Sequence, residues 1–253
     1  LVWTVTPKDV DVVCENNSAV VEITNMYPGT PSISTKIDEW VCKSDVEKML
    51  IQAGNTIEDN DVVGTWTSTT TSSVITADNE HENAIEITPA YGTNTFKWTV
   101  ERTGNQFDAC NLSATVSFDN RYVKAEVASS EFKSCGSTVD LEAVKVWDKY
   151  STNAEGWWTT KHTGDAAYFI TVGENGEEAH VKEAPHGSSA AAGNNIVTAY
   201  GIPTSGASFI WHVRNVDPTD ATAYCEDQTE VSVANCGLVA KIESTELNAC
   251  NGT

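Results

Sequence analysis

The sequence predicts an all-β protein made of β-sandwiches in tandem, on three observations. The first is a hairpin unit that occurs three times. Phe96-Lys97-Trp98-Thr99-Val100 alternates apolar and polar side chains, the two-residue period of a half-buried strand, and leads to Cys110. Leu1-Val2-Trp3-Thr4-Val5 leads in the same way to Cys14, and Phe209-Ile210-Trp211-His212-Val213 to Cys225. Each copy continues into a second alternating stretch, at Val20 to Thr24, Ala114 to Phe118 and Thr229 to Val233. An asparagine closes each one (Asn25, Asn120 or Asn235), and a further cysteine follows at Cys42, Cys135 or Cys250. The second observation is the period. The interval from Cys42 to Cys135 is 93 positions and that from Cys135 to Cys250 is 115, which suits a sandwich of roughly 100 residues better than a short solenoid repeat. The third is composition, rich in Thr, Val, Ser and Asn and without a long apolar helical stripe.

Taken in order, residues 1–34 supply the last hairpin of an incomplete repeat. Tyr27-Pro28-Gly29-Thr30-Pro31-Ser32 then reads as a linker, because it cannot continue a ladder. Residues 35–127 form a complete repeat. Trp40 and Cys42 open it, an apolar run lies near Met49–Ile51, and Gly64-Thr65-Trp66-Thr67-Ser68 reads as a strand entered through a tight glycine. Val74-Ile75 and Ile85-Glu86-Ile87 add short strands, giving about seven, the number of a sandwich. Residues 128–242 form a second complete repeat, in which Val139-Asp140-Leu141-Glu142-Ala143 alternates and Gly156-Trp157-Trp158-Thr159 answers Gly64-Thr65-Trp66-Thr67. Trp158 to Trp211 spans 53 positions where Trp66 to Trp98 spans 32. The surplus falls in residues 173–195, read as an inserted loop outside the core. Residues 243–253 start a further repeat, with Cys250-Asn251-Gly252-Thr253 answering Cys135-Gly136-Ser137-Thr138.

The net charge of −21 argues against nucleic acid, whose phosphates need a cationic face, and against an anionic membrane surface. No run approaches the roughly 18 apolar residues of a membrane span. The opening residues read as a strand, which predicts a mature piece or a fragment. None of the seven cysteines forms a Cys-x-x-Cys pair or has a histidine at metal-ligand spacing. Disulfides in an oxidising, extracellular setting are the expectation.

The units resemble the immunoglobulin-like repeats of large secreted surface proteins of Bacteroidetes, including gliding-motility adhesins and other cargo of type IX secretion. The pattern is carried by Cys135, Val139-Asp140-Leu141-Glu142-Ala143, Gly156-Trp157-Trp158, Phe209-Ile210-Trp211-His212-Val213, Cys225 and Val231-Ser232-Val233. The first complete repeat departs from it at Val46 to Leu50. The resemblance implies immunoglobulin-like sandwiches at the cell surface. With one cysteine before the first strand of each repeat and one after its Trp strand, the expected pairs are Cys42–Cys110 and Cys135–Cys225. Cys14, Cys236 and Cys250 are left for bonds between repeats or between chains.

Catalytic and ligand chemistry finds little purchase. There is no Gly-x-Ser-x-Gly elbow. His180-x-x-Glu183-x-x-His186 has metal spacing only on a helix, which Pro185 and the nearby glycines oppose. Asp9-x-Asp11 and Glu58-Asp59-Asn60-Asp61 are oxygen-rich stretches of the kind that take Ca2+, and equally serve as solvated turns. Asn16-Asn17-Ser18, Asn111-Leu112-Ser113 and Asn251-Gly252-Thr253 are glycosylation sequons. Asp220-Ala221-Thr222-Ala223-Tyr224-Cys225 is similar to an antibody corner motif, except that its Tyr directly precedes its Cys. Trp3, Trp98 and Trp211 hold inward strand positions and are expected in the core.

The expected function is therefore a non-catalytic, extracellular structural and adhesive protein. It would be a segment of a filament or stalk that meets copies of itself or adjacent repeats, and no catalytic residue, cofactor or metal ligand is assigned. The alternative is a carbohydrate-binding accessory module of a secreted hydrolase, with surface glycans as partners. An exposed aromatic platform on one repeat would favour that alternative, whereas tryptophans buried alike in both repeats would favour the stalk.

Overall fold

The computed structural model describes residues 2–5, 17–22, 27–54, 57, 61–70, 74–75, 83–102, 111–161, 166–191 and 193–237. Contacts divide the chain into two compact units. One holds Leu1–Lys36, Met49–Ile87 and Thr95–Ser117; the other holds Ile37–Lys48, Thr88–Asn94 and Phe118–Thr253. The described residues are strands joined by loops, with one four-residue helix, so the chain is all-β with sandwich sheets.

In the first unit, β1 (Val2–Val5) pairs antiparallel with β2 (Asn17–Val20), placing Trp3 opposite Ala19. This is the predicted hairpin, although its second strand lies earlier than Val20 to Thr24. Trp3 is 71 % exposed, against the expectation that it is core. The reason is geometric. An inward strand position buries a side chain only where a second layer lies over it, and among the described residues β1 and β2 form a two-stranded sheet alone.

The core of this unit uses β4 (Met49–Gln52), β6 (Val74–Ile75) and β7 (Ala84–Thr88), in the order β4-β7-β6, together with β5 (Val62–Ser68) and β8 (Gly92–Arg102). Ile51, Ile85 and Ile87 are buried from one sheet, and Trp66, Phe96, Trp98 and Val100 from the other. Lys97 and Thr99, between the buried positions of β8, are partly exposed, as the alternation predicts. Trp66 and Trp98 stand directly opposite across the β5–β8 pair, ring centroids 5.1 Å apart. Gly64 is tight for a specific reason: a Cβ there would lie 2.1 Å from Cη2 of Trp98. The glycine leaves the space that the indole fills.

The sheet containing β5 and β8 runs β3-β9-β8-β5, with β3 (Trp40–Val41) parallel to the end of β9 (Asn111–Asn120). The second unit repeats this order. Its main sheet is β10-β18-β17-β12-β15, with β10 (Glu131–Ser134) parallel to β18 (Tyr224–Asn235) and followed by β17 (Ala207–Val216), β12 (Ala154–Thr160) and β15 (Gly187–Ser188). β11 (Thr138–Glu142) pairs with β16 (Ile196–Tyr200), and β13 (Phe169–Val172) with β14 (Glu178–Val181). Trp158 and Trp211 are cross-strand partners 5.3 Å apart, both fully buried. A Cβ on Gly156 would stand 2.3 Å from Cζ2 of Trp211. The same glycine-and-tryptophan lock thus closes both sandwiches.

Residues 173–195 are more than a loop outside the core. β14 and β15 arise from them, Ala184 and Asn195 are buried, and Asn195 Nδ2 donates to Ala143 O at 2.9 Å. Gly187 lies against Trp147 of the helix α1 (Val146–Lys149), where a Cβ would meet Cη2 at 2.6 Å. Spacing alone marks these residues as surplus. It does not show that their backbone pairs with the free edge of β12.

The lock gives a direct test. Gly156→Ala must displace Trp211 from its contact, and overpacking of this kind costs about 1–3 kcal/mol. We expect the melting temperature to fall by several degrees. Gly136→Ala, where a Cβ would meet nothing within 4 Å, should leave it unchanged.

Candidate functional site

The outer face of the main sheet in the second unit carries side chains of a different kind from those of the first sandwich. Register aligns Glu155 with Arg214 and Glu226, and Trp157 with His212 and Gln228. β15 lies on the other side of β12, and the residue just before it, His186, reaches Trp157 from there. The ring of His186 stacks on Trp157 at 4.2 Å and 9° between planes; that of His212 does so at 5.2 Å and 12°. Because β15 and β17 flank β12 on opposite sides, the two imidazoles take opposite faces of one indole. Arg214 extends the row, its guanidinium 5.3 Å from the Trp157 ring and 5.7 Å from that of Tyr224. At the equivalent places the first sandwich has Thr65 and Thr99, facing each other one register position from Trp66 and Trp98.

Carboxylates hold this ladder in place. Glu155 accepts from Arg214 Nε and, through its other oxygen, pairs with His186 Nδ1 at 3.3 Å; Glu183 Oε1 is 3.1 Å from His186 Nε2. His212 Nε2 is hydrogen-bonded to the Thr159 hydroxyl at 2.8 Å. Beyond His212, a depression of about 300 Å³ is lined by Trp157, His212, Val213, Glu226, Asp227 and Gln228. Burial holds the His212 imidazole below its ordinary pKa, with His186 adding to that push while Glu183 and Glu226 oppose it.

Two chemical readings can be weighed on this geometry. A sugar-stacking platform needs an open ring face, and imidazoles from both sides of β12 stack on the Trp157 ring. A hydrolytic dyad would pair Thr159 with His212, but no described carboxylate hydrogen-bonds to that imidazole to orient it. What the ladder does is cross-link three strands through their side chains.

The lowered pKa of His212 has a consequence for stability. The unfolded imidazole takes up its proton as the pH falls through its ordinary value near 6.5, before the folded one does. The folded state should therefore lose stability from that pH downward until the native imidazole also protonates. In denaturation midpoints measured from pH 8 to pH 5, this component should be absent from His212→Gln.

A second feature of the same unit is covalent. Cys42, just after β3, is bonded to Cys225, the second residue of β18 (Cα–Cα 5.4 Å). This corrects the expected pairs Cys42–Cys110 and Cys135–Cys225: Cys225 is already taken, and Cys135 is an exposed free thiol. Cys110 lies outside the described residues. The physical reason is that the segment around Cys42 packs in the second unit, where Cys225 Sγ is 3.6 Å from Val41 O. Polar contacts surround the bond. Arg121 Nη1 meets Asp217 Oδ2 at 2.5 Å, Asn215 Nδ2 donates to Arg121 O at 3.1 Å, and Ala125 N donates to Asp227 Oδ2 at 2.9 Å. The Asp217 carboxyl is drawn down to about 2, first by the hydroxyl and amide of Thr219 and then by Arg121.

The remaining predicted positions fall as follows. Trp98 and Trp211 are fully buried, and Cys236 is an exposed free thiol. His180 stacks on Tyr168 at 3.8 Å while His186 stacks on Trp157, so the three-residue spacing of the His-Glu-His stretch does not bring the two imidazoles together. Among the described residues no group of three or more His, Cys, Asp or Glu is arranged to hold a metal. Cys14, Cys250 and the acidic residues Asp9, Asp11, Glu58 and Asp59 lie outside the described residues; Asp61 is exposed before β5. Sequence reasoning missed the ladder. Trp157 was read only as part of the strand that answers Gly64-Thr65-Trp66-Thr67, and nothing local signalled that the inserted segment returns His186 to it.

No family model matches the chain, and no curated protein does. Among solved structures, it is similar at 10 % identity to a SusE-like, surface-located polysaccharide-binding protein from the Bacteroides thetaiotaomicron heparin utilisation locus, over 78 % of this chain and 32 % of that one, with a TM-score of 0.30. Mouse protocadherin-24 EC1-3 matches at 10 % identity over 92 % and 79 % of the two chains, with a TM-score of 0.34. The ICAM-5 D1-D4 ectodomain fragment matches at 10 % over 83 % and 54 %, with a TM-score of 0.32. The chain spans about a third of the first of these structures and about half of the last. Likeness this slight makes none of them a relative, and the fold rests on the strands and registers above. No described helix is long and apolar enough to cross a membrane.

Proposed function

We propose that the chain is a non-catalytic structural and adhesive segment of an extracellular stalk or filament, built of tandem immunoglobulin-like sandwiches at a cell surface. The observation that carries this reading is the Cys42–Cys225 bond, which closes a loop of 183 positions within the second compact unit. A covalent tie that encloses so long a stretch suits a chain that must carry load, and a disulfide belongs to an oxidising compartment. The matching tryptophan locks support the same reading, since Trp66 and Trp98 in one sandwich and Trp158 and Trp211 in the other are fully buried. Single-molecule pulling on the chain held at its two ends tests it. The reading expects no unfolding length from residues between the two cysteines until a reductant is added; full extension without reductant would overturn it. A glycan array run on the same material decides against the carbohydrate-binding alternative if no sugar is retained. Retention that Trp157→Ala abolishes would favour that alternative.

A further inference from the structure

The parallel pair formed by β10 and β18 ends on two free thiols, Cys135 and Cys236. Along the pair Lys133 stands opposite Ala234 and Ser134 opposite Asn235. The ladder continues one step further, where Cys236 N donates to Ser134 O at 2.8 Å. Cys135 and Cys236 are therefore the next opposed residues. A Cβ on Gly237 would lie 3.6 Å from Cys135 O, so the chain still runs beside Cys135 past the strand end. Burial puts both thiols on one face. Ser134 is buried and Asn235 half-buried, whereas Lys133 and Ala234 before them, and Cys135 and Cys236 after them, are exposed. The backbone at both positions is held. Ser134 Oγ donates to Thr138 O at 2.7 Å and accepts from Gly136 N at 3.2 Å. Asn235 Nδ2 donates to Ile202 O at 2.9 Å, and its Oδ1 accepts from Gly237 N at 2.9 Å.

The first sandwich shows what is particular to this pair. Its matching positions, one step past Val41 and Asn120, are Cys42 and Arg121, and Arg121 N donates to Val41 O at 2.9 Å. Cys42 has an arginine as its strand neighbour and is bonded to Cys225 instead, whereas Cys135 has a thiol in that place. We propose that Cys135 and Cys236 are a redox pair, closing a disulfide within the chain that ties β10 to the end of β18. Adjacent strands stand about 4.8 Å apart, within the roughly 4.4–6.8 Å between Cα atoms that a disulfide spans. In the bond-forming step the two thiols lose two protons and two electrons, and a small-molecule disulfide such as oxidised glutathione accepts them, leaving as two thiols. Cys135 and Cys236 are exposed, whereas Cys225 is buried. Exposed disulfides are the more easily reduced kind, so this bond opens before Cys42–Cys225. Oxidation staples the first strand of repeat 128–242 to its last, and mild reduction frees them. The pair needs the register alone and does not depend on the stalk reading.

The test is a glutathione redox titration of the full chain, with alkylation of the remaining thiols and mass mapping of linked peptides at each step. Support is a Cys135–Cys236 peptide from the monomer at the oxidising end, with alkylation of both thiols falling together at least tenfold. As the buffer is made more reducing, this peptide should be lost while the Cys42–Cys225 peptide persists. Cys135→Ser should leave Cys236 open to alkylation, and Cys236→Ser should do the same for Cys135. Both thiols still open to alkylation at the oxidising end would overturn the proposal. So would either thiol linked to a different cysteine, to a second chain or stably to glutathione, or a Cys42–Cys225 bond that opens first. Absence of the Cys42–Cys225 peptide at the oxidising end would instead strike the stalk reading and leave this pair standing.

Discussion

Replacing Cys42 and Cys225 together by serine is expected to lower the stability of the chain by about 5 kcal/mol, since in the chain-entropy model the cost grows with the logarithm of the loop released. The loop here closes over 183 positions. Equilibrium denaturation in guanidinium should show the effect as a lower midpoint for the double variant, and wild type in reductant should fall to the same midpoint. An unchanged midpoint would mean that the two thiols are not joined in solution. Cys135→Ser is the natural control, because that thiol is unbonded in the structure.

Trp211→Ala should cost about 3–5 kcal/mol, the range for truncating a large core aromatic. Trp211 is fully buried, lies 5.3 Å from Trp158, and fills the space left by the missing side chain of Gly156. Trp157→Ala, one residue from Trp158 but on the outer face, removes stacking on two imidazoles and the contact with the Arg214 guanidinium, and should cost a fraction of that. If the two variants melted alike, the inner and outer faces of β12 would be exchanged.

The contrast between those two tryptophans marks how far the sequence could be read. Alternation tells inside from outside along a single strand, so the buried rows of β8 and β17 and the glycines opposite them were legible. So was the strand count of repeat 35–127, because turn residues punctuate it. Disulfide partners were not legible. When every repeat carries a cysteine at each of two positions, pairing within a repeat and pairing shifted by one repeat satisfy the same pattern, and only the packing of the Cys42 segment against β18 separates them. Trp3 failed for a related reason: its strand has the core pattern, but burial depends on a second layer that no strand pattern encodes. The ladder was hidden because one of its rings comes from an insertion whose path is fixed by β15 pairing with the edge of β12.

The covalent tie also sets how this stretch of chain would answer a pull. Tension entering before residue 42 and leaving after residue 225 passes through one S–S bond and bypasses everything between. The 183 positions so enclosed would stretch to roughly 600 Å as extended chain, at about 3.4 Å per residue. That length is held in reserve, released only by a reductant. Both tryptophan locks lie inside it, so their strength would govern resistance to heat and denaturant, while resistance to stretching would be a matter of redox state.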